Sequence, residues 1–129
     1  MSITNAGMAQ FSSLLSNSGT NAAFIYIAYG SGTTAASAAQ TALVSETKRV
    51  AASVYKISVL SPLDTLRIYG TDTATAARTI SEIGVFDDDT AGNMLLRKLV
   101  SPVETAAIGD VIFLLADVTS KDGGYSFAS

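Results

Sequence analysis

The stretch Thr79-Ile80-Ser81-Glu82-Ile83-Gly84-Val85-Phe86 decides the fold. It alternates with period two, Ile80, Glu82 and Gly84 pointing one way and Ser81, Ile83 and Val85 the other, the pattern of a strand whose two faces meet different surroundings. Asp87 to Asn93, with three aspartates and Gly92, is a turn, because aspartate, asparagine and glycine supply the local hydrogen bonds and backbone freedom a reversal needs. Met94 to Val100 returns as a second strand, with Pro102 as its expected end.

Outward from this hairpin the same rhythm continues. Ile108-Gly109-Asp110 reads as another turn, Val111 to Val118 as a strand, and Lys121 to Ser129 as a Gly/Ser tail carrying Tyr125 and Phe127. That tail either frays or orders on a neighbouring subunit. Upstream, Leu66-Arg67-Ile68-Tyr69 predicts a strand stopping before Gly70. Val54, Lys56, Ser58 and Leu60 alternate in face with Tyr55, Ile57 and Val59 as far as Pro62. The apolar run Ala22 to Tyr29 predicts a buried strand. Ala35 to Val50 is ambiguous, its alanines favouring helix and its hydroxyl residues a polar loop.

A helix is predicted over 5–16. Met8, Phe11, Leu14 and Leu15 share one face, Thr4 or Asn5 can cap the start, and Ser16-Asn17-Ser18-Gly19 stops it. It is either a core-packing helix or an amphipathic arm for a partner. Short strands with polar turns at intervals of about 8–12 residues predict a mainly β chain, an antiparallel β-sandwich or barrel-like domain over 1–119 with one short N-terminal helix and a tail over 120–129.

Composition narrows the function. The chain has 129 residues, 48% hydrophobic and only 15% charged, net charge −3, with no His, Cys or Trp. Imidazole bases, cysteine nucleophiles, disulfides and Cys/His zinc sites are excluded. Lys48-Arg49, Lys56, Arg67, Arg78, Arg97-Lys98 and Lys121 are scattered, and the pI is near 4.6. Neither fits a nucleic-acid binder, which concentrates basic charge on one face. No apolar run approaches the roughly 20 residues of a membrane-spanning helix, and the start of the chain predicts no signal peptide.

Four local patterns carry chemistry elsewhere. Gly30-Ser31-Gly32-Thr33-Thr34-Ala35 matches a dinucleotide fingerprint, but the surrounding period-two pattern lacks the strand–helix–strand units that fold needs. Ser53 and Lys56 have Ser-x-x-Lys spacing, yet on a strand they project to opposite faces. Asp87-Asp88-Asp89 lacks the alternating oxygens of a calcium loop. Glu46 and Glu82 are the other carboxylates near apolar segments, and Glu82 is expected to be half-buried against Arg78 or Arg49. No catalytic, cofactor-binding or metal-binding residue is assigned, and no cofactor is expected.

Several segments resemble a known family. Ile3-Thr4-Asn5-Ala6-Gly7-Met8-Ala9 resembles the opening of phage tail-collar fibre domains, and Ile27-Ala28-Tyr29-Gly30-Ser31-Gly32 resembles their strand running into glycines. Thr41-Ala42-Leu43-Val44-Ser45-Glu46 with Arg49 is similar to the box that follows. Ile80 to Asp87, continuing through Gly92-Asn93-Met94-Leu95, is similar to their diagnostic strand and hairpin. The resemblance extends to about Thr119. It implies a loop plus strand for Ala35 to Val50, and a non-enzymatic structural protein of a tailed-phage virion. The implied partners are itself, as a homo-oligomer with a trimer favoured, and other virion proteins of tail, neck or capsid, with neither nucleic acid nor membrane. Tail fibres continue into a shaft and receptor-binding tip, so the expectation here is a stand-alone collar, adaptor or capsid-bound module. A capsid decoration or vertex protein and a carbohydrate-binding adhesin module are the alternatives.

Overall fold

The structure, a computed structural model, describes residues 2–16, 23–58, 65–121 and 124–128. In chain order these form β1 (Ser2–Ile3), α1 (Asn5–Ser16), β2 (Tyr26–Gly30), β3 (Glu46–Ala51), β4 (Ser53–Ile57) and β5 (Thr65–Thr73). There follow β6 (Arg78–Phe86), β7 (Met94–Ala106), β8 (Val111–Lys121) and β9 (Gly124–Ala128). The chain is mainly β. Two antiparallel sheets, ordered β1-β7-β6-β2-β3 and β4-β5-β8-β9, make a sandwich-like domain with one short helix.

The inner faces of the two sheets meet in one core. Ile27, Ile83, Val85 and Leu96 come from the first sheet and Ile68, Ile112, Leu114 and Ala116 from the second. The first sheet is covered on its outer face too, where Ala28, Phe86 and Met94 pack beneath Leu43 of the loop between β2 and β3. Gly84 leaves the room, since a Cβ there would stand 2.8 Å from Leu43 Cδ2. The region that sequence alone left ambiguous is thus loop up to Ser45 and strand from Glu46.

Helix α1 starts where predicted, capped by Thr4, whose hydroxyl accepts from Gly7 N at 2.9 Å and donates to Met94 O. Its packed face differs from the expected apolar one. Thr4, Gly7 and Gln10 are buried, whereas Met8 and Leu14 are 42% and 37% exposed. Gly7 sets this rotation, because a Cβ there would come 2.6 Å from the Leu95 backbone and hold the helix off β7. Asn17, Ser18 and Gly19 of the predicted stop signal, and Pro62, lie outside the described residues.

Several boundaries differ from the sequence reading. Strand β2 begins at Tyr26, with residues 23–25 of the predicted run outside it, and β4 ends at Ile57. Strand β5 continues through Gly70 to Thr73, because the missing side chain admits Ile27 and Val50 from the facing sheet. Strand β7 runs past Pro102 to Ala106. Its register against β6 shifts between Glu82↔Leu99 and Ile80↔Glu104, so the proline sits in a bulge, where a missing N–H breaks no ladder bond. The segment read as a tail beyond Thr119 pairs instead: β8 extends to Lys121 and Gly124–Ala128 adds β9 against it.

Candidate functional site

The chemistry-bearing residues singled out in the sequence serve mostly to tie the first sheet to its covering loop. Glu82 is fully buried and bonded to Arg97, whose Nε and Nη2 donate to Oε2 at 3.0 and 2.6 Å. The second carboxylate oxygen accepts Ser45 N at 2.8 Å, and Val44 N reaches Oε2 at 3.2 Å. Arg97 Nη1 donates onward to Thr34 O at 2.7 Å. Every charged group here has its partners, which is the condition for a tolerable buried ion pair.

Glu82 was expected half-buried, with Arg78 or Arg49 as partner. It is wholly buried and its partner is Arg97. The hairpin carried only part of the signal. Counting out from Phe86 and Met94 would set Leu96 opposite Gly84, but a one-residue register shift beside Phe86 sets Arg97 there, on the same face as Glu82 and diagonal to it, within reach of long side chains. The fingerprint glycines belong to this ion pair as well. A Cβ on Gly32 would collide with the Glu82 carboxylate, and one on Gly30 with Ser45 O, so both glycines let backbone approach a carboxylate of the chain itself. Ser81 Oγ adds a bond to Gly32 O at 2.9 Å.

Arg49 performs a second tie. It forks onto Glu46 at 3.1 and 2.8 Å and donates to Asp88 O and Ala91 O at 2.9 and 2.8 Å. Its guanidinium also lies 3.5 Å from the Phe86 ring centre. Inside the turn it holds, Asp87 accepts Asn93 N and Nδ2 at 2.7 and 3.0 Å, while Ala91 and Gly92 adopt positive φ. The aspartates thus satisfy the turn's own donors. Hydrogen bonding with Asp89, first through its side chain and then its N–H, holds the Asp88 carboxyl below its usual value. Among the described residues no group of three acidic side chains is placed to hold a metal.

At one end of the sandwich the Tyr29 hydroxyl donates to Asp72 at 2.6 Å. Burial first, then the Asp72 bond and charge, push the phenol up to about 12. Nearby Arg78 donates to Thr75 at 3.3 Å, with its Nε buried and unpartnered among the described residues. Ser53 and Lys56 lie on β4, where Ser53 pairs with Tyr69 and Lys56 with Leu66. The register therefore sends their side chains to opposite faces, as the strand reading required.

The surfaces available to a partner lie elsewhere. On the outer face of the second sheet Tyr55, Arg67 and Asp117 form one row, and Tyr69 and Phe113 follow it. Arg67 grips Asp117 through two bonds of 2.8 and 2.7 Å, and Tyr69 stacks on Phe113 at 6.2 Å. The second surface is the open side between β7 and β8. Past Arg97, β7 pairs only with β6, and before Asp117, β8 pairs only with β5, among the described residues. Between these strand edges run two hollows of about 470 and 420 Å³, with Ile80, Ile83, Val100 and Leu114 among their walls. Of their lining residues, Phe113 and Val111 are exposed by 67% and 52%. Sequence reasoning missed this surface, because alternation along a strand does not tell where a sheet stops.

No protein-family model matches the chain, and searches of curated proteins and of solved structures find no significant match.

Proposed function

We propose that this chain is a non-enzymatic structural protein of a tailed-phage virion, a collar- or fibre-like module that self-associates and docks on the particle. The observation that carries the self-association is the open β7–β8 side. Val111 and Phe113, both more than half exposed, line an apolar cleft, and exposed apolar surface of this kind marks an interface. The placement of charge supports a scaffold rather than a catalyst. Glu82, Arg97, Glu46 and Arg49 are consumed in holding a loop and a turn. The virion and its collar enter through the motif resemblance, which also favours a trimer and makes a capsid decoration or vertex protein the alternative within the class.

Immunogold electron microscopy of particles from the source lysate tests the location. Label at the neck or tail supports the collar reading, and label over the head or its vertices replaces it with the decoration protein. Particles without label would sink the virion assignment.

One observation favours a second reading, a carbohydrate-binding adhesin. Tyr55, Tyr69 and Phe113 share the outer face of the second sheet with the Arg67–Asp117 pair, and aromatic rings beside polar groups suit sugar rings. Binding on a glycan array that is lost in Phe113→Ser and Tyr55→Ser would establish it.

A further inference from the structure

We infer that the outer edge of β9 is where two copies of this chain meet, β9 of one pairing antiparallel with β9 of the other. This deepens the proposed self-association and rests on it. Strand β9 is the last strand of the second sheet and pairs only with β8 among the described residues. It lies on the same sheet edge as the open side, since it covers β8 from Asp117 onward and leaves 111–116 bare. The register shows which of its groups are unused. Lys121 pairs with Gly124 across only two residues, which an antiparallel ladder allows only as a hydrogen-bonded pair. Alternation then bonds Ser126 and Ala128 to β8 and turns the backbone N–H and C=O of Tyr125 and Phe127 outward.

Those outward groups match a second copy of themselves. With Ser126 opposite Ser126 on a two-fold axis, Tyr125 of each copy lies opposite Phe127 of the other and the two exchange both bonds. Every residue of β9 then overlaps, and the two four-stranded sheets run on as one. The chain's other edges carry features that block such pairing, namely charge, proline or an inward-pointing lysine. Strand β3 holds Glu46, Lys48 and Arg49, β4 holds Lys56 on its core-side face opposite Leu66, and β7 holds Pro102. Gly124–Ala128 contains neither charge nor proline, so like pairs with like at no electrostatic cost. The bare stretch of β8 is as apolar, but its pairing lane is closed at Asp117 by Ala128, which a continuing strand would strike. The contact is isologous and joins copies in pairs, so rings built through another surface would be tied two by two.

The chain has no cysteine, so single cysteines report the contact without background. Oxidative cross-linking of the full chain tests the inference beside light scattering across a concentration series, with circular dichroism confirming that each variant is folded. Ser126→Cys runs at twice 13.3 kDa on a non-reducing gel. Residues opposite each other in a non-hydrogen-bonded pair stand about 4.5 Å apart, within disulfide reach. Phe127→Cys, whose counterpart lies two positions along the ladder, cross-links at least about tenfold more slowly. Tyr125→Pro removes an outward N–H from each copy while leaving the bonds to β8, and weakens association about tenfold. Equal cross-linking of the two cysteine variants, or a Tyr125→Pro chain that assembles like the parent, overturns this contact and leaves self-association standing. So does a Ser126→Cys chain that cross-links in particles only to a different protein. A parent that remains at 13.3 kDa throughout, with Ser126→Cys uncross-linked, removes the self-association itself.

Discussion

The two sides of the first sheet are finished in opposite ways. On its outer face the loop over 31–45 is held by a buried carboxylate and guanidinium whose partners include Val44 N, Ser45 N and Thr34 O. At its β7 edge, by contrast, the sandwich ends with apolar walls and solvent. A chain with only eight basic residues places three of its four arginines, Arg49, Arg67 and Arg97, in internal ion pairs. Charge withheld from a surface is what leaves that surface apolar. In the proposed reading the closed side governs stability and the open side governs association.

The sharpest way to break this contrast is Arg97→Met. It leaves the Glu82 carboxylate buried without its counter-charge, a loss of about 3–5 kcal/mol that urea unfolding would register as a much lower midpoint. Replacing both partners, in Glu82→Leu/Arg97→Met, should cost less than Arg97→Met alone, since no uncompensated charge remains. Equal losses would mean that the loop's own bonds, and not the charge, carry the effect. Gly32→Ala comes next, at about 1–3 kcal/mol, because the added methyl enters the space of the carboxylate and must displace it or the loop.

Arg49→Lys is expected to cost about 1–2 kcal/mol. A lysine keeps the charge but not the fork that reaches Glu46, Asp88 O and Ala91 O together. Hydrogen exchange should quicken in the 87–93 turn and leave the Glu82 surroundings unchanged. Exchange that quickens in both places would show that turn and loop form one cooperative unit.

Alkaline pH probes the same closed side more gently. The Tyr29 phenol is raised from 10.0 to about 12 in the folded chain, so folding favours its protonated form. That contribution is fully present below pH 10 and is lost as pH rises through about 12. The melting temperature of the parent should therefore fall more steeply across that window than that of Tyr29→Phe, which has no phenol to ionise. Parallel curves would assign the fall to other groups.

Strand β8 was legible because it buries one face, which writes alternation into Val111 to Val118, and β6, buried on both faces, was legible because Ile83 and Val85 meet the apolar core while Glu82 and Gly84 meet the covering loop. Helix α1 was legible in extent but not in orientation, since a glycine contact and not the apolar stripe sets which face meets β7. Pro102 misled because a proline signals the end of pairing only where its N–H was needed, and in a bulge it was not. Arg97 as partner of Glu82 required strand register, and counting the 87–93 turn as a hairpin misses it by one residue, because a shift beside Phe86 sets the pairing. The open side was illegible for a different reason. It is defined by strands that do not pair, and nothing in Phe113 or Val103 distinguishes an uncovered position from a covered one.

Phe113→Ser is the smallest expected change in stability and the one that separates the two sides most cleanly. The ring is 67% exposed and its main contact is the stack on Tyr69, so folding gives up little apolar burial when it is removed. The unfolding free energy should move by no more than about 0.5 kcal/mol, the usual range for a surface position. Association should fall in the same samples, because the residue borders both hollows of the cleft. If instead the monomer lost several kcal/mol with association intact, Phe113 would belong to the core in solution, with the cleft closed over it. The division between a closed side that stabilises and an open side that assembles would then have to be redrawn.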